Sequence, residues 1–433
     1  METSPPNPPQ GAVINAHQLT EHLFRHESGK MIAILVGIYG PHCLQMAEDA
    51  VQESLVRALR AWPVSGMPDN PPAWLLRTAR NLMTDQLRRE KNFQEKQPEI
   101  IVGMEAGGGS HQEAELFDDQ LRLMFICCHP SLPQEAQAAL ALKTLCGFSP
   151  AEIAKAFLIS EAAVSKRLTR ARQKVRELEL PFAVPEPHEL PARLDGVLGT
   201  LYLLFNEGYK ASAGDLLVRE DLCHEAIRIL TLLTQHPAIQ EPRAFALLAL
   251  MLLSAARLPA RSNSEGDLLL LHEQDRDLWD RRMIQGGIQL LARSADGRSV
   301  SPYHLEAAIA ACHSTAATAA DTDWPRILSL YDQLIRQTSS PIVAMNRAVA
   351  VARVHGPRAG QEALSRIGNP DPVASLHLYH AIHGCLAAEL EDFGTALMHY
   401  QTARGLAQLP AEREFIDRRL SECEQMFAGH LTL

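Results

Sequence analysis

Two helices written almost back to back across residues 147–177 constrain this chain more than any other feature. In Gly147-Phe148-Ser149-Pro150-Ala151-Glu152-Ile153-Ala154-Lys155-Ala156-Phe157-Leu158-Ile159-Ser160, Ser149 is placed to cap a helix and Pro150 to take its first position. Glu152 can close a capping box by reaching back to the N–H of the cap. The helix is short, with Ile153, Ala154 and Phe157 inward, and Ser160 caps another a few residues later. A short helix, a tight turn and a second capped helix form the arrangement that places a helix in the major groove of DNA.

The second helix runs from about Glu161 to Glu177. Val164, Leu168, Ala171 and Val175 recur at i, i+4, i+7 and i+11, one face of the helical period, and must be the buried side. Ala162, Lys166, Thr169, Arg170 and Gln173 lie opposite, and Lys166, Arg167, Arg170, Arg172, Lys174 and Arg176 crowd the helix with no acid among them. A basic run by itself is an ordinary solvated face. Here it follows a capped turn, and the small side chains of Ala162, Ser165 and Thr169 leave room for a groove wall. Residues near the start, from Ser160, are expected to meet base edges. The arginines further along, Arg167, Arg170 and Arg172, are expected to meet phosphates.

A second basic amphipathic helix spans Pro72 to Arg89. Leu75, Ala79, Leu82 and Met83 face inward and leave Arg77, Asn81, Thr84 and Arg88 outside, while Asp85 and Arg89 are spaced for a surface pair. The loop before it, Pro63 to Pro71, is stiffened by Pro and Gly and could hold an unstacked base while the helix tracks the strand. Upstream, Ala47 to Leu59 is helical, with Glu48, Asp49, Gln52 and Glu53 forming an acidic patch that has no cationic partner in the neighbouring turn. Carboxylates beside a DNA-binding helix would repel DNA, so the patch points to a protein partner with basic groups.

The remainder is helical in pattern. Of 433 residues 46% are hydrophobic but only 5% aromatic, and Ala, Leu and Arg are frequent, a balance that favours helices. No convincing alternating strand occurs, so an all-α fold is expected. A Pro-rich tail (1–15) precedes the first helical domain (16–92). A flexible acidic linker (93–115) follows, with Gly107-Gly108-Gly109-Ser110 among Glu99, Glu105, Glu113 and Glu115. The helix-turn-helix domain (116–180) comes next, then a joint (181–191) stiffened by Pro181, Pro185, Pro187 and Pro191, and a run of amphipathic segments over 192–433. There Gly384, Ala396, Tyr400 and Ala403 match the small, small, aromatic, small spacing of a tetratricopeptide unit, and Trp324, Tyr331 and Pro341 hint at a more degenerate one.

The net charge of −10 argues against a nonspecific nucleic-acid coat, yet a phosphate senses only charge within a Debye length of about 8 Å. Eight cysteines include no C-x-x-C, and Cys127-Cys128-His129 reads as a buried helix end, so no metal is expected. The phosphate-loop, zinc-protease, nucleophile-elbow and dinucleotide motifs are missing, and Ser28-Gly29-Lys30 lacks the upstream glycine of a phosphate loop. No cofactor and no catalytic residue are expected. His377, His380 and His383 drift round one helix and read as packing or surface residues. The N-terminus has neither the basic nor the apolar part of a signal peptide. No stretch reaches the roughly 18 uninterrupted apolar residues of a membrane span, so the expected location is cytoplasmic.

The three N-terminal segments, in this order, resemble the bacterial extracytoplasmic-function sigma factors of the sigma-70 family. Glu48-Asp49-Ala50-Val51-Gln52-Glu53 is similar to the helix that docks on RNA polymerase core. Trp74-Leu75 to Arg89 resembles the helix that melts and reads the −10 promoter element, and Glu152-Ile153-Ala154 to Arg172 the helix-turn-helix that reads the −35 element. Cys127-Cys128-His129-Pro130 and Tyr202-Leu203-Leu204-Phe205-Asn206-Glu207-Gly208-Tyr209 resemble a subgroup whose long tetratricopeptide-like extension is thought to replace a separate anti-sigma protein. Met83-Thr84 departs from the small or aliphatic residues common in the family.

The resemblance implies two small sigma-type helical domains and a helical regulatory extension. It implies polymerase contact by Glu48, Asp49, Gln52 and Glu53, on a basic coiled-coil of the largest subunit. The −10 contacts would come from Trp74, Arg77, Arg80, Asn81, Thr84, Arg88 and Arg89, and the −35 contacts from Ser160, Ala162, Ser165, Lys166, Arg167, Thr169, Arg170 and Arg172. The linker would thread near the active-site and RNA-exit path, and a signal-transmitting protein would meet the extension. The polar insertion Leu258 to Asp280, where Glu273, Asp275, Asp277 and Asp280 alternate with Arg276, Arg281 and Arg282, reads as a docking surface or a solvated loop. A conventional helix-turn-helix repressor or activator with a helical sensor domain is the competing reading. It leaves Pro72 to Arg89 and the acidic patch without a role.

Overall fold

Helices carry the regular structure of the described residues, as the scarcity of aromatic and alternating residues predicts. In the computed structural model the described residues are 27–93 and 113–431, apart from 158, 187, 210–218, 238, 264–268, 297–298 and 368–373. The N-terminal tail and most of the acidic linker lie outside them. No β-strand occurs among the described residues. The chain divides into two units, Met1–Leu204 and Phe205–Leu433.

The first unit opens with α1 (27–39), α2 (Leu44–Ser65) and α3 (Pro71–Phe93). Leu75, Ala79 and Met83 of α3 are fully buried, and the Trp62 and Trp74 rings meet edge-on at 5.6 Å, tying the end of α2 to the start of α3. The loop between them is shorter than expected. Pro63 forfeits one backbone bond in the last turn of α2, but the helix continues to Ser65, and Gly66, at φ +82°, ends it by donating its N–H to Trp62 O. Asn70 Oδ1 then accepts the Ala73 N–H and caps α3.

The helices α4 (Glu113–Cys127), α5 (Gln134–Leu145), α6 (Pro150–Phe157) and α7 (Glu161–Glu177) complete the helix-turn-helix body. Its central helix, α5, is buried on nearly every face from Ala136 to Leu145. Burial pushes the Cys128 thiol up to about 12, so Cys128 is a packing group, with its sulfur against Thr200. The Pro-rich stretch does not hand the chain directly to the second unit. The next helix, α8 (Leu190–Tyr209), begins in the first unit, where Arg193 donates to Phe125 O at 2.6 Å and Gly196 lies against the Gln137 side chain. A β-carbon at 196 would sit 2.1 Å from Gln137 Oε1, so any larger residue would push the Gln137 side chain aside.

The second unit continues with α9 (Glu220–Gln235), α10 (Pro242–Ala255), α11 (Arg281–Ser294), α12 (Pro302–Thr315), α13 (Trp324–Gln337), α14 (Pro341–His355), α15 (Pro357–Ser365), α16 (His377–Glu389), α17 (Phe393–Leu406) and α18 (Pro410–Leu431). From α9 onward each of these packs on the next in sequence. The apolar residues accordingly fall into successive local cores, one around Trp279 and Ile284, one around Ile327 and Leu334, one around Met345 and Leu364, and one around Phe393 and Tyr400. Gly384 is a crossing point: its missing β-carbon would meet the Tyr400 ring at 2.9 Å, the close approach that its spacing from Ala396, Tyr400 and Ala403 predicts. Pro242–Ala260 has a mean hydropathy of 1.5 with 72% of the stretch buried, a core helix of this unit.

Over its described part the polar insertion is held at a few points and still presents exposed charge. Glu273 pairs with Arg419, Arg276 donates to His313 O and Ala316 O and covers the Trp279 ring, and Asp280 caps α11. Asp277 and Arg281 stay exposed. Glu273 and Arg276 are taken by partners too far along the chain for a local pattern to reveal, while Asp275, Asp280 and Arg282 are exposed as well.

Two histidines give this unit a pH dependence. His313 is pushed down to about 4 by burial and then by the charges of Arg257 and Arg276; His383 is pushed down to about 4 by burial and then by His399 and His380. Of the packing and surface roles expected for them, His380 and His383 take packing: both meet His399 of α17, at 3.0 Å between Nδ1 atoms and at 4.7 Å between stacked rings. The unfolded chain takes up protons at these imidazoles near pH 6.5, the folded chain only near 4. Stability is thus complete above 6.5 and drains as pH falls. Discounting for solvent screening at His383, we expect a loss of about 3 kcal/mol by about pH 4.5 and a fall in Tm of roughly 6–12 °C. Calorimetry should show this fall flattened in His313→Gln with His383→Gln; an equal fall in the double variant would contradict the assignment.

Candidate nucleic-acid and polymerase interfaces

The reading helix α7 is built as its pattern predicts. Ser149 Oγ accepts the Glu152 N–H while Glu152 Oε2 accepts the Ser149 N–H, so the capping box of α6 is closed. Ser160 Oγ accepts the Ala163 N–H and caps α7. Val164, Leu168, Ala171 and Val175 are buried. Ser160, Ala162, Ser165, Lys166, Thr169 and Arg170 are exposed, and the Thr169 hydroxyl donates to Ser165 O, which turns its lone pairs outward. Lys166 and Arg170 make no ion pair with any described residue. Arg167 is half-buried and pairs with Glu135 at 2.7 Å, so its charge is partly spent within the domain.

On α3, Arg77, Asn81, Arg88 and Arg89 are exposed, whereas Trp74 and Arg80 are half-buried. Thr84 is less available than its pattern suggests: its hydroxyl shares a 2.9 Å hydrogen bond with Tyr39 on α1. Arg57, Arg60 and Ala61 of α2 join Trp74, Thr78 and Asn81 of α3 around a groove of about 520 Å³. Sequence reasoning passed over Arg57 and Arg60. Their signal is two arginines, one turn apart, directly after the acidic patch.

The acidic patch itself divides. Asp49, Gln52 and Glu53 are exposed, and Glu53 does have a cationic partner, Arg57 at 3.0 Å and i+4. Such an exposed pair contributes only about 0.3–0.5 kcal/mol. Glu48 departs from the expected position. It is 3% exposed, its Oε2 lies 2.6 Å from Arg172 Nη2, and its Oε1 accepts a 2.6 Å hydrogen bond from Thr144 Oγ1. Burial raises the Glu48 carboxyl, opposed by Arg172, Thr144 and Lys143; burial also raises Asp49, opposed by Arg172 and Lys143. In this arrangement Glu48 is not offered to a polymerase nor Arg172 to a phosphate, because each neutralises the other.

Residues 23–93 match the family described as Sigma-70 region 2, residues 122–175 match Sigma-70 region 4, and residues 193–295 match a family of unknown function. The ECF RNA polymerase sigma factor EcfG of Rhodopseudomonas palustris is 30% identical over 133 residues, covering 30% of this chain and 70% of that protein. The ECF RNA polymerase sigma factor SigL of Mycobacterium tuberculosis is 32% identical over 134 residues, covering 30% of this chain and 72% of that protein. The chain belongs to the extracytoplasmic-function RNA polymerase sigma factors. An uncharacterized protein of Rhizobium meliloti is 38% identical over 387 residues, 87% of this sigma factor and 90% of that protein, so the long extension is shared with it. No solved structure gives a significant match.

The family thus assigns the first unit of this sigma factor to transcription initiation, with RNA polymerase core and promoter DNA as its partners. Region 2 contains α1, α2 and α3, and region 4 takes in the end of α4 from Arg122, all of α5 and α6, and α7 to Val175. Sigma factors are transcription factors and not enzymes.

Proposed function

We propose that this sigma factor docks on polymerase core through Asp49, Gln52 and Glu53, reads the −35 element with α7, and holds the −10 element with α3. The exposed surface of α7 carries the reading best. Ser160, Ala162, Ser165 and Thr169 offer a low polar surface to base edges, and Lys166 and Arg170 stand beside it for the phosphates. Arg77, Arg88 and Arg89 track the −10 strand, with Asn81, Trp74 and the groove beside Arg57 and Arg60 available to an unstacked base. Glu48, Arg172, Arg80 and Thr84 belong to the same surfaces but are wholly or half-buried here, and they contribute after rearrangement. Footprinting of polymerase holoenzyme on its promoters tests the assignment: Asn81→Ala should reduce strand opening at the −10 element and leave −35 protection unchanged. Equal opening would remove Asn81 from the site.

The extension, in this reading, regulates initiation, either by itself or through a signal-transmitting protein. What supports this is its size, since residues 205–433 exceed what promoter recognition needs, together with the serial helix packing that gives repeat proteins a partner-binding face. The truncation that tests it ends at Leu204 and not at the Pro-rich joint, because removing all of α8 would strip Arg193 and Thr200 from the helix-turn-helix body. We expect run-off transcription with purified core to change at least several-fold on truncation. Equal transcription at matched folded fraction would give the extension another role.

A further inference from the structure

The second unit gathers three arginines that no described carboxylate neutralises. Arg257 follows α10 directly, Arg261 lies one turn further on, and Arg276 comes from the polar insertion. The insertion is tied to this place by a 2.9 Å hydrogen bond from the Asp280 N–H to Ala256 O. His313 of α12 feels the charges of Arg257 and Arg276, and Arg257 also faces Arg261 and Tyr331 of α13. None of the three arginines forms an ion pair with a described residue. Asp321 faces Arg276, but it accepts instead from the Thr318 N–H and hydroxyl at 3.1 and 2.7 Å; Glu306 faces Tyr331.

Two of the three guanidinium groups are fixed by neutral partners. Arg276 donates to His313 O and Ala316 O at 2.8 and 2.7 Å and covers the Trp279 ring at 4.5 Å. Arg261 donates to Tyr209 O and covers the Tyr209 ring at 4.0 Å. Carbonyls and ring faces orient these groups without cancelling their charge. Arg257 has neither kind of contact. Its Nε is buried and makes no hydrogen bond with any described residue. Trp279 Nε1, on a side chain only 2% exposed, is a second buried donor without an acceptor. Such a donor costs stability, and a charged one costs more. Burial and then the two arginine charges hold His313 down to about 4, so the imidazole adds no charge of its own at neutral pH. Two unused donors and uncancelled positive charge, on neighbouring elements, together ask for one negative group.

We propose that Arg257, with Trp279 and Arg276 beside it, forms an anion-binding site in the second unit that takes one carboxylate or phosphate group of a small ligand. The guanidinium fork of Arg257 matches the paired oxygens of either group. Arg276, engaged through Nη1, adds its charge, and neutral His313 is the neighbour that registers occupancy. The site does not depend on the extension regulating initiation. Binding is read on the chain alone, so its failure and the failure of the regulatory reading are separate results.

Sodium phosphate and sodium oxalate, each titrated into the full-length chain against chloride at equal ionic strength, distinguish a phosphate from a carboxylate ligand. At about 100 mM, a hundredfold above a Kd of about 1 mM, the bound anion should raise Tm by roughly 5–10 °C. Salts also stabilise proteins by exclusion from their surfaces, so the measure is the difference from Arg257→Gln, which removes the charge and keeps much of the stem. That variant should lose the anion-specific rise. Without anion it should be no less stable than the wild type, because it sheds an uncancelled cation; marked destabilisation would make the arginine structural and overturn the site. The His313 ring gives a second readout, by NMR of the chain labelled with carbon-13 histidine, its signal identified by its loss in His313→Gln. Its titration should move up from about 4 when the anion binds, since a negative neighbour favours the imidazolium. A His313 titration unmoved by either anion overturns the site, whether or not Arg257→Gln folds. An equal rise in Tm for the wild type and the folded variant does so too.

Discussion

Asp49→Lys together with Glu53→Lys is expected to abolish binding to polymerase core, by at least about 100-fold, with the fold intact. Both side chains are exposed on α2, one turn apart, while its buried stripe of Ala47, Val51, Leu55 and Ala58 is untouched. Placing like charges against a basic partner costs several kcal/mol, and each 1.4 kcal/mol is tenfold in affinity. The loss of the Glu53–Arg57 pair costs the free protein a few tenths of a kcal/mol at most. Titration of labelled core polymerase measures the effect, with thermal unfolding as the control. Wild-type affinity in a folded double variant would return the patch to ordinary solvated surface.

Lys166→Ala with Arg170→Ala carries the second large effect: specific binding at the −35 element is lost while the helix-turn-helix remains folded. The burial that holds α7 comes from Val164, Leu168, Ala171 and Val175, each contributing about 1–3 kcal/mol, and the two cations lie off that stripe. Each phosphate contact removed also lowers the slope of log affinity against log salt by about 0.9. The double variant should therefore lose close to two units of slope as well as the −35 footprint. Protection and slope both unchanged would mean that α7 does not enter the groove.

The parts legible from the residues were those whose cause is local. Ser149, Glu152 and Ser160 cap the helices they were expected to cap, since a cap and its target lie three residues apart. The period of Val164, Leu168, Ala171 and Val175 placed the face of α7 correctly, and Gly384 meets Tyr400, the close approach expected from their spacing. What escaped depends on residues distant in sequence. Thr84 is outward by helical period, yet it meets Tyr39 from another helix. Glu273 and Arg276 read as free charges but are held by Arg419 and by the carbonyls of His313 and Ala316. Glu48 left a trace: it stands three residues before Val51 and seven before Leu55, at the edge of the apolar stripe of α2. A carboxylate there requires a buried cation, but nothing local shows that the cation is Arg172, on the reading helix of the other region.

The most direct test of the account is initiation itself. Purified full-length chain, added to purified core polymerase with genomic DNA fragments, should direct transcripts to a discrete set of start sites sharing one −35 and one −10 element. That selectivity should disappear with Lys166→Ala and Arg170→Ala. Start sites no more selective than those of core alone, from a chain shown to be folded and bound to core, would contradict the account.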